Sequence, residues 1–358
     1  MKDKRLEHIN ISAFQEDLIN WYLKNKRHLP WRENNDAYRV WVSEIMLQQT
    51  KVDTVIPYFN QFMEKYPTVY DLAEAEQQDV LKQWEGLGYY SRARNLQTAV
   101  REVVENYDGK IPDDPKQLGN LKGIGPYTKG AILSIAYNQP IPAVDGNVMR
   151  VFSRVLLIDE DIAQASTKKL FESYVGEMIS EEDPSSFNQA IMDLGATICT
   201  PKQPLCMFCP VMEHCQAYAE SVQENLPVKK KAKKQRKEKY IALLIQNQEG
   251  KYMIEKRPDT GLLAGLWQFP MIPADDIVPK DWQMWIKDYY GVDVEIKESC
   301  TSIKHVFSHI IWNVDVRKAI TNQETVQDSR LKFVSLEELK KYPFPVSHQK
   351  MIPFLEDN

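Results

Sequence analysis

Apolar side chains recur at close intervals early in the chain, first at Ala13, Leu18, Trp21 and Tyr22 and again, in steps of three or four with Val55 and Ile56 adjacent, at Val52, Val55, Ile56, Phe59 and Phe62. That spacing draws an apolar stripe down one side of a helix. Helices are therefore expected to dominate residues 1–225. Beyond residue 240 the pattern changes. YIALLIQ and KYMIEKR read as β-rich runs separated by the turn NQEG, VFSHIIWNVDVRKAI reads as another strand, and WQMWIKDYYGV reads as a helix. An all-α part (1–225) and an α+β part (240–358) are predicted, joined by residues 226–239.

Composition sharpens this division. At 358 residues and 43% hydrophobic content, the chain can bury the cores of two domains or three. Between them PVKKKAKKQRKEK carries eight basic side chains and one acidic one over residues 229–239, which suits a solvated linker and equally a phosphate-binding stretch. The net charge of −5 argues against a uniformly basic nucleic-acid binder but permits local positive sites. MKDKRLEHINISAFQEDLINWYLK has no apolar core of an export signal, and no run of about 18 apolar residues occurs. An unexported chain outside the membrane is predicted.

Four of the five cysteines crowd into CTPKQPLCMFCPVMEHC as Cys199, Cys206, Cys209 and Cys215. In a reducing compartment such crowding points to metal rather than disulfides. Pro201, Pro204 and Pro210 deny the loop regular structure, as expected where metal bonds order it. Four thiolates suit zinc or a 4Fe-4S cluster, and coordination chemistry alone leaves both open. In LGNLKGIGPYTKGAILSIAY, residues 118–137, Gly123 and Gly125 lie between two helical patterns. A turn there presents the unpaired amides of the second helix, which attract phosphate.

These segments carry a family resemblance. LKGIGPYTKGAILSIA resembles the helix-hairpin-helix of the base-excision DNA glycosylases, PIPAVDGNVMRV the segment with their aspartate, and the C-x6-C-x2-C-x5-C spacing their iron-sulfur loop. WVSEIMLQQTKVDTV, GLGYYSRARNL and FNQAIMDLGATICT further resemble the MutY branch, whose members remove adenine mispaired with 8-oxoguanine or guanine. The resemblance implies an all-α glycosylase domain with its cluster loop at 199–215, followed by a Nudix-like domain. It also implies a 4Fe-4S cofactor on the four cysteines and duplex DNA as partner. The enzyme would be monomeric, cytoplasmic and nucleoid-associated.

Excision requires a proton for the leaving base and negative charge beside the sugar. Glu44, in the apolar stretch VWVSEIML, reads either as a partly exposed helix glutamate or as an inward-facing carboxyl whose burial raises its pKa. Asp145 before GNVMRVFSRVL reads as a helix N-cap, held ionised by the helix dipole. The resemblance places both at catalytic positions, with Asn147 and Tyr127 orienting them. Lysine stands at the position of Tyr127 in endonuclease III-type lyases, so tyrosine there implies a glycosylase without strand cleavage. Lys129 lies about 200° round the same helix.

By the same resemblance Arg27, Leu29, Trp31, Gln189 and Met192 line the adenine pocket. Gln49, Thr50, Leu87 and Tyr89 meet the duplex at the lesion, Gly123 and Gly125 meet phosphate, and Phe307, Ser308 and His309 read 8-oxoguanine. GLLAGLWQFPMIPADDIVPKDWQMWIKDYYGV resembles a Nudix hydrolase segment without its R-E-x-x-E-E cluster. That domain is expected to recognise and not to hydrolyse. Without the resemblance, a noncatalytic mismatch binder or an endonuclease III-type enzyme would be the rival readings.

Overall fold

The computed structural model describes residues 5–230 and 235–356. Residues 231–234, inside the expected basic linker, lie outside the described residues. The chain forms two compact units, Met1–Glu74 with Asn95–Lys231, and Ala75–Arg94 with Ala232–Asn358. Compactness thus divides the chain differently from the sequence pattern. The helical stretch 75–94 groups with the C-terminal unit, where Trp267 Nε1 donates to Gln78 Oε1 at 3.0 Å, Lys82 Nζ to the Tyr342 carbonyl at 3.1 Å, and the Phe344 amide to Glu85 Oε1 at 2.7 Å.

The first unit is helical, and its helix starts are written in the sequence. Asn10, Asp36, Asp114, Asp145 and Asp183 each accept a first-turn amide, a bond that stabilises a helix by about 1 kcal/mol. Ile11–Asn25 buries Phe14, Leu18 and Tyr22 in one core with Phe152, Phe171 and Phe187. Ala37–Leu47 and Pro126–Tyr137 bury most of their circumference and so run through the interior. That placement brings their few polar side chains inside.

Among the described residues the second unit has seven strands: β1 (Arg236–Gln246), β2 (Tyr252–Lys256), β3 (Trp267–Gln268), β4 (Met271–Pro273), β5 (Glu295–Val306), β6 (Ile310–Ile320) and β7 (Leu331–Val334). The order is β3-β2-β1-β6-β5, with β4 on β1 and β7 on β2. β1 and β6 run parallel, Arg236 opposite Ile310 through Gln246 opposite Ile320, while β5 and β6 form an antiparallel pair. Ile241, Leu243 and Ile245 face one core, and Ala242 and Leu244 the other, which explains why the central strand reads as one apolar run. Two boundaries differ from expectation. β1 begins within the supposed linker, and the strand expected from Val306 begins only at Ile310, because Phe307, Ser308 and His309 form the turn from β5 to β6.

Candidate active site

Glu44 sits in the middle of Ala37–Leu47 with 5% of its surface exposed. The Tyr127 hydroxyl, from the second residue of Pro126–Tyr137, donates to Glu44 Oε2. Burial, the larger influence, pushes the carboxyl up to about 7; the tyrosine bond and Arg32 oppose it, and Asp145 adds to it. Tyr127 is itself pushed well above the usual phenol range, chiefly by burial and then by Glu44. A neutral donor therefore holds a carboxyl that keeps its proton near neutrality.

Asp145 caps Gly146–Val155, accepting from the Val148 amide at 2.7 Å and from Asn147 Nδ2 at 3.0 Å. The cap is as expected, but its electrostatic consequence is not. Burial raises the Asp145 pKa and outweighs the lowering by the Val148 and Asn147 bonds and by Arg150. Asn147 Oδ1 accepts from Arg150 Nη2 at 2.8 Å, and the same guanidinium donates to the Gly195 carbonyl at 2.7 Å and, through Nε, to the Cys199 carbonyl at 2.7 Å. A Cβ on Gly195 would lie 2.7 Å from Asn147 Cβ. Glycine there lets the two helices close around the asparagine.

Both carboxyls face one cavity of about 650 Å³, within the range of small-molecule sites. Arg27, Leu29, Trp31, Gln189 and Met192 line it as expected, with Gln49, Thr50, Gly123, Gly125 and Asn147. Trp31 also stacks edge-on against Phe59 at 5.4 Å, so it serves wall and core together. Gly123 has φ +82°, where glycine is favoured, whereas Gly125, capping the next helix, has φ −91° and needs no such freedom. Gln49 has φ +59° and is exposed, an uncommon backbone state for a residue with a side chain. Leu87 is buried and belongs to the other unit. Lys129 Cδ lies beside Gly119 and is not among the lining side chains.

The main omission in the sequence reading is an ion cluster in the wall. Asp193, its side chain 2% exposed, accepts from Arg27 Nε at 2.9 Å and from Arg32 Nη1 and Nη2 at 2.8 and 3.0 Å. Burial pushes its carboxyl upward, yet the two guanidiniums hold it below the usual range. One signal was available: Asp193 follows Gln189 by four residues and so shares its helix face. Arg32, Gln48, Lys168 and Glu172 are further lining residues that were not singled out.

Among the curated proteins, adenine DNA glycosylase of Arabidopsis thaliana is 38% identical over 82% of this chain, which spans 55% of that protein's length. Adenine DNA glycosylase of Mus musculus is 37% identical over 84% of this chain and 69% of its own. The chain belongs to the adenine DNA glycosylase family. Members of this family are base excision repair enzymes that hydrolyse an N-glycosyl bond. Residues 42–177 match the HhH-GPD superfamily base excision DNA repair protein model, and residues 241–353 match the NUDIX domain. A solved thermostable thymine-DNA glycosylase covers 61% of this chain and all of its own, with 25% identity and a TM-score of 0.54. The helical glycosylase domain and the α+β NUDIX-like domain expected from the sequence are thus both present.

The glycosylase's four clustered cysteines line a single small recess with Val151, Leu194 and Val211. Burial pushes the Cys209 thiol to about 12 and Cys215 to about 11, and the neighbouring thiols add to each rise. Arg154, 1% exposed, donates to Cys199 Sγ at 3.2 Å and to the Thr200 carbonyl at 2.8 Å. Among the described residues, no three His, Cys, Asp or Glu side chains are grouped as a metal ion needs. The donor set itself, four thiols about an apolar recess with a guanidinium on one sulfur, fits the chemistry of a thiolate-held centre.

In the C-terminal unit Phe307, Ser308 and His309 form one wall of a cavity of about 420 Å³, facing Tyr89 and Leu262 to Ala264. Phe307 packs between His305 and Trp312, at 4.5 and 4.9 Å, and so anchors the turn. Ser308 Oγ and the Tyr89 hydroxyl are hydrogen-bonded at 2.6 Å. Tyr89 has φ +47° and is 46% exposed. Among the described residues no helix is long and apolar enough to cross a membrane.

Proposed function

We propose that the protein removes adenine mispaired with 8-oxoguanine, or with guanine, from duplex DNA without cleaving the strand. What supports this reading most is Glu44: buried, bonded by Tyr127, and keeping its proton to about pH 7 in the cavity that Asp145 shares. With adenine flipped into this cavity, Glu44 gives its proton to a ring nitrogen of the base. The C1′–N9 bond breaks with its electron pair leaving on adenine. The deoxyribose becomes an oxocarbenium ion, and water adds at C1′ with loss of a proton. Asp145 has the larger set of hydrogen-bond donors and is the carboxyl that stays ionised beside the cation while Glu44 is protonated.

Arg27, Leu29, Trp31, Gln189 and Met192 would hold the base, and the amides at Gly123 and Gly125 a phosphate. Gln49, Thr50, Leu87 and Tyr89 would meet the duplex at the lesion, while Phe307, Ser308 and His309 would read 8-oxoguanine. Ser308 can accept from the N7-H that guanine lacks. Cys199, Cys206, Cys209 and Cys215 would hold a 4Fe-4S cluster, whose contribution is to order the loop against DNA and not to act on the base. The protein would work as a cytoplasmic, nucleoid-associated monomer, with its helical N-terminal unit as the catalytic part and its C-terminal unit as the lesion reader.

A duplex containing adenine opposite 8-oxoguanine, incubated with the protein and then heated in alkali, tests this. Scission only after alkali is expected. Scission before alkali would make the protein a lyase, and none at all would reduce it to a binder.

A further inference from the structure

A second cavity, of about 600 Å³, lies behind the one that holds Glu44 and Asp145. Arg27, Leu29, Arg32, Ile135 and Gln189 line both and form the wall the two cavities share. Beyond it the rear cavity is lined by hydrophilic groups, among them Asn35, Asn138, Asp183, Ser185 and Ser186. Gln189 is turned that way: its Nε2 donates to Ser185 Oγ at 3.2 Å and to the Ser185 carbonyl at 3.4 Å. Arg27, salt-bridged to Asp193, keeps 29% of its side chain exposed. The partition thus combines Arg27, Arg32 and Gln189 with the buried apolar Leu29 and Ile135, and Arg27 is its most solvated member.

Excision leaves a free purine in the front cavity while the abasic strand still covers the side by which the nucleotide entered. We propose that the rear cavity is the exit for the excised base, with Gln189 and Arg27 as the partition it passes, so that adenine leaves before the DNA does. This rests on the adenine-excision reading above. A planar base with a ring of donors and acceptors suits a hydrophilic passage. Loss of base ahead of the slower macromolecular product would also prevent its re-addition at the sugar, since product departure commonly limits such enzymes.

The test uses the full-length protein and a duplex whose adenine opposite 8-oxoguanine is radiolabelled. After one turnover with excess protein, complexes are caught on a filter that retains protein-bound DNA, and label in the filtrate is timed against DNA release. Wild-type protein is expected to free the label while the DNA stays bound. Ser186→Trp and Asn35→Trp, which narrow the rear cavity from two segments and lie outside the lining of the front cavity, are expected to slow label release about tenfold or more while single-turnover excision stays within about twofold. Normal excision in either variant establishes that it is folded. Label that leaves only with the DNA in wild type, or leaves at the same rate in both variants, would overturn the proposal. Absence of any excised adenine from wild type would instead overturn the reading on which it rests.

Discussion

Glu44 carries a cost that an exposed glutamate would not. Its pKa in the fold is about 7 against an ordinary 4.5, so the folded state binds the proton more tightly than the unfolded chain does. Stability on this account is full below about pH 4.5 and declines as pH rises through about 7. Glu44→Gln cannot ionise. It is expected to raise the melting temperature at pH 8, by up to about 3 kcal/mol of stability, with the gain vanishing toward pH 4.5 in thermal unfolding. The same variant is expected to lose about 10²-fold to 10⁴-fold or more in single-turnover excision while binding DNA normally. Near wild-type excision would remove Glu44 as the acid. The position of Glu44 was partly legible, since apolar neighbours on every side in VWVSEIML foretell burial. The Asp193 cluster was not, because two ion pairs joining residues 27 and 32 to 193 leave no local pattern in any one segment.

At the scale of elements, the turn between β5 and β6 combines a fixed anchor and two exposed side chains. Phe307 is held by two rings, whereas Ser308 and His309 face outward. Ser308→Ala with His309→Ala is therefore expected to leave folding intact and to lower the preference for adenine opposite 8-oxoguanine over guanine by about 5-fold to 150-fold, read from binding at fixed salt. An unchanged ratio would take this turn out of lesion recognition. The turn was misjudged as strand because Val306, Phe307, Ile310 and Ile311 are good strand formers, and nothing in their composition marks a break. Helix starts were easier to see: Asp145 caps by a local bond to Val148, which three residues of sequence suffice to suggest.

On the scale of the whole molecule, the chain's order and its compact units do not coincide. Residues 75–94 pack with 232–358, and Leu81 and Trp84 there are fully buried. A fragment ending at residue 225 lacks the partners of Gln78, Lys82 and Glu85. Such a fragment is expected to melt well below the full chain and to show fast hydrogen exchange over 75–94, as measured by mass spectrometry; native-like protection there would contradict the assignment of this stretch to the C-terminal unit. The composition shift near residue 230 marks where the sheet begins, but the return of 75–94 to that sheet depends on side-chain bonds spanning more than 180 residues of sequence, beyond the reach of any pattern in the sequence. What matters for chemistry is held within the first unit, around one ionisable proton. The rate of adenine excision in a single turnover, followed from about pH 5.5 to pH 9, tests that proton most directly. The rate is expected to fall as pH rises through about 7, approaching tenfold per unit as Glu44 ionises; a rate that stays level or rises across that range would contradict a proton held by Glu44 as the source of catalysis.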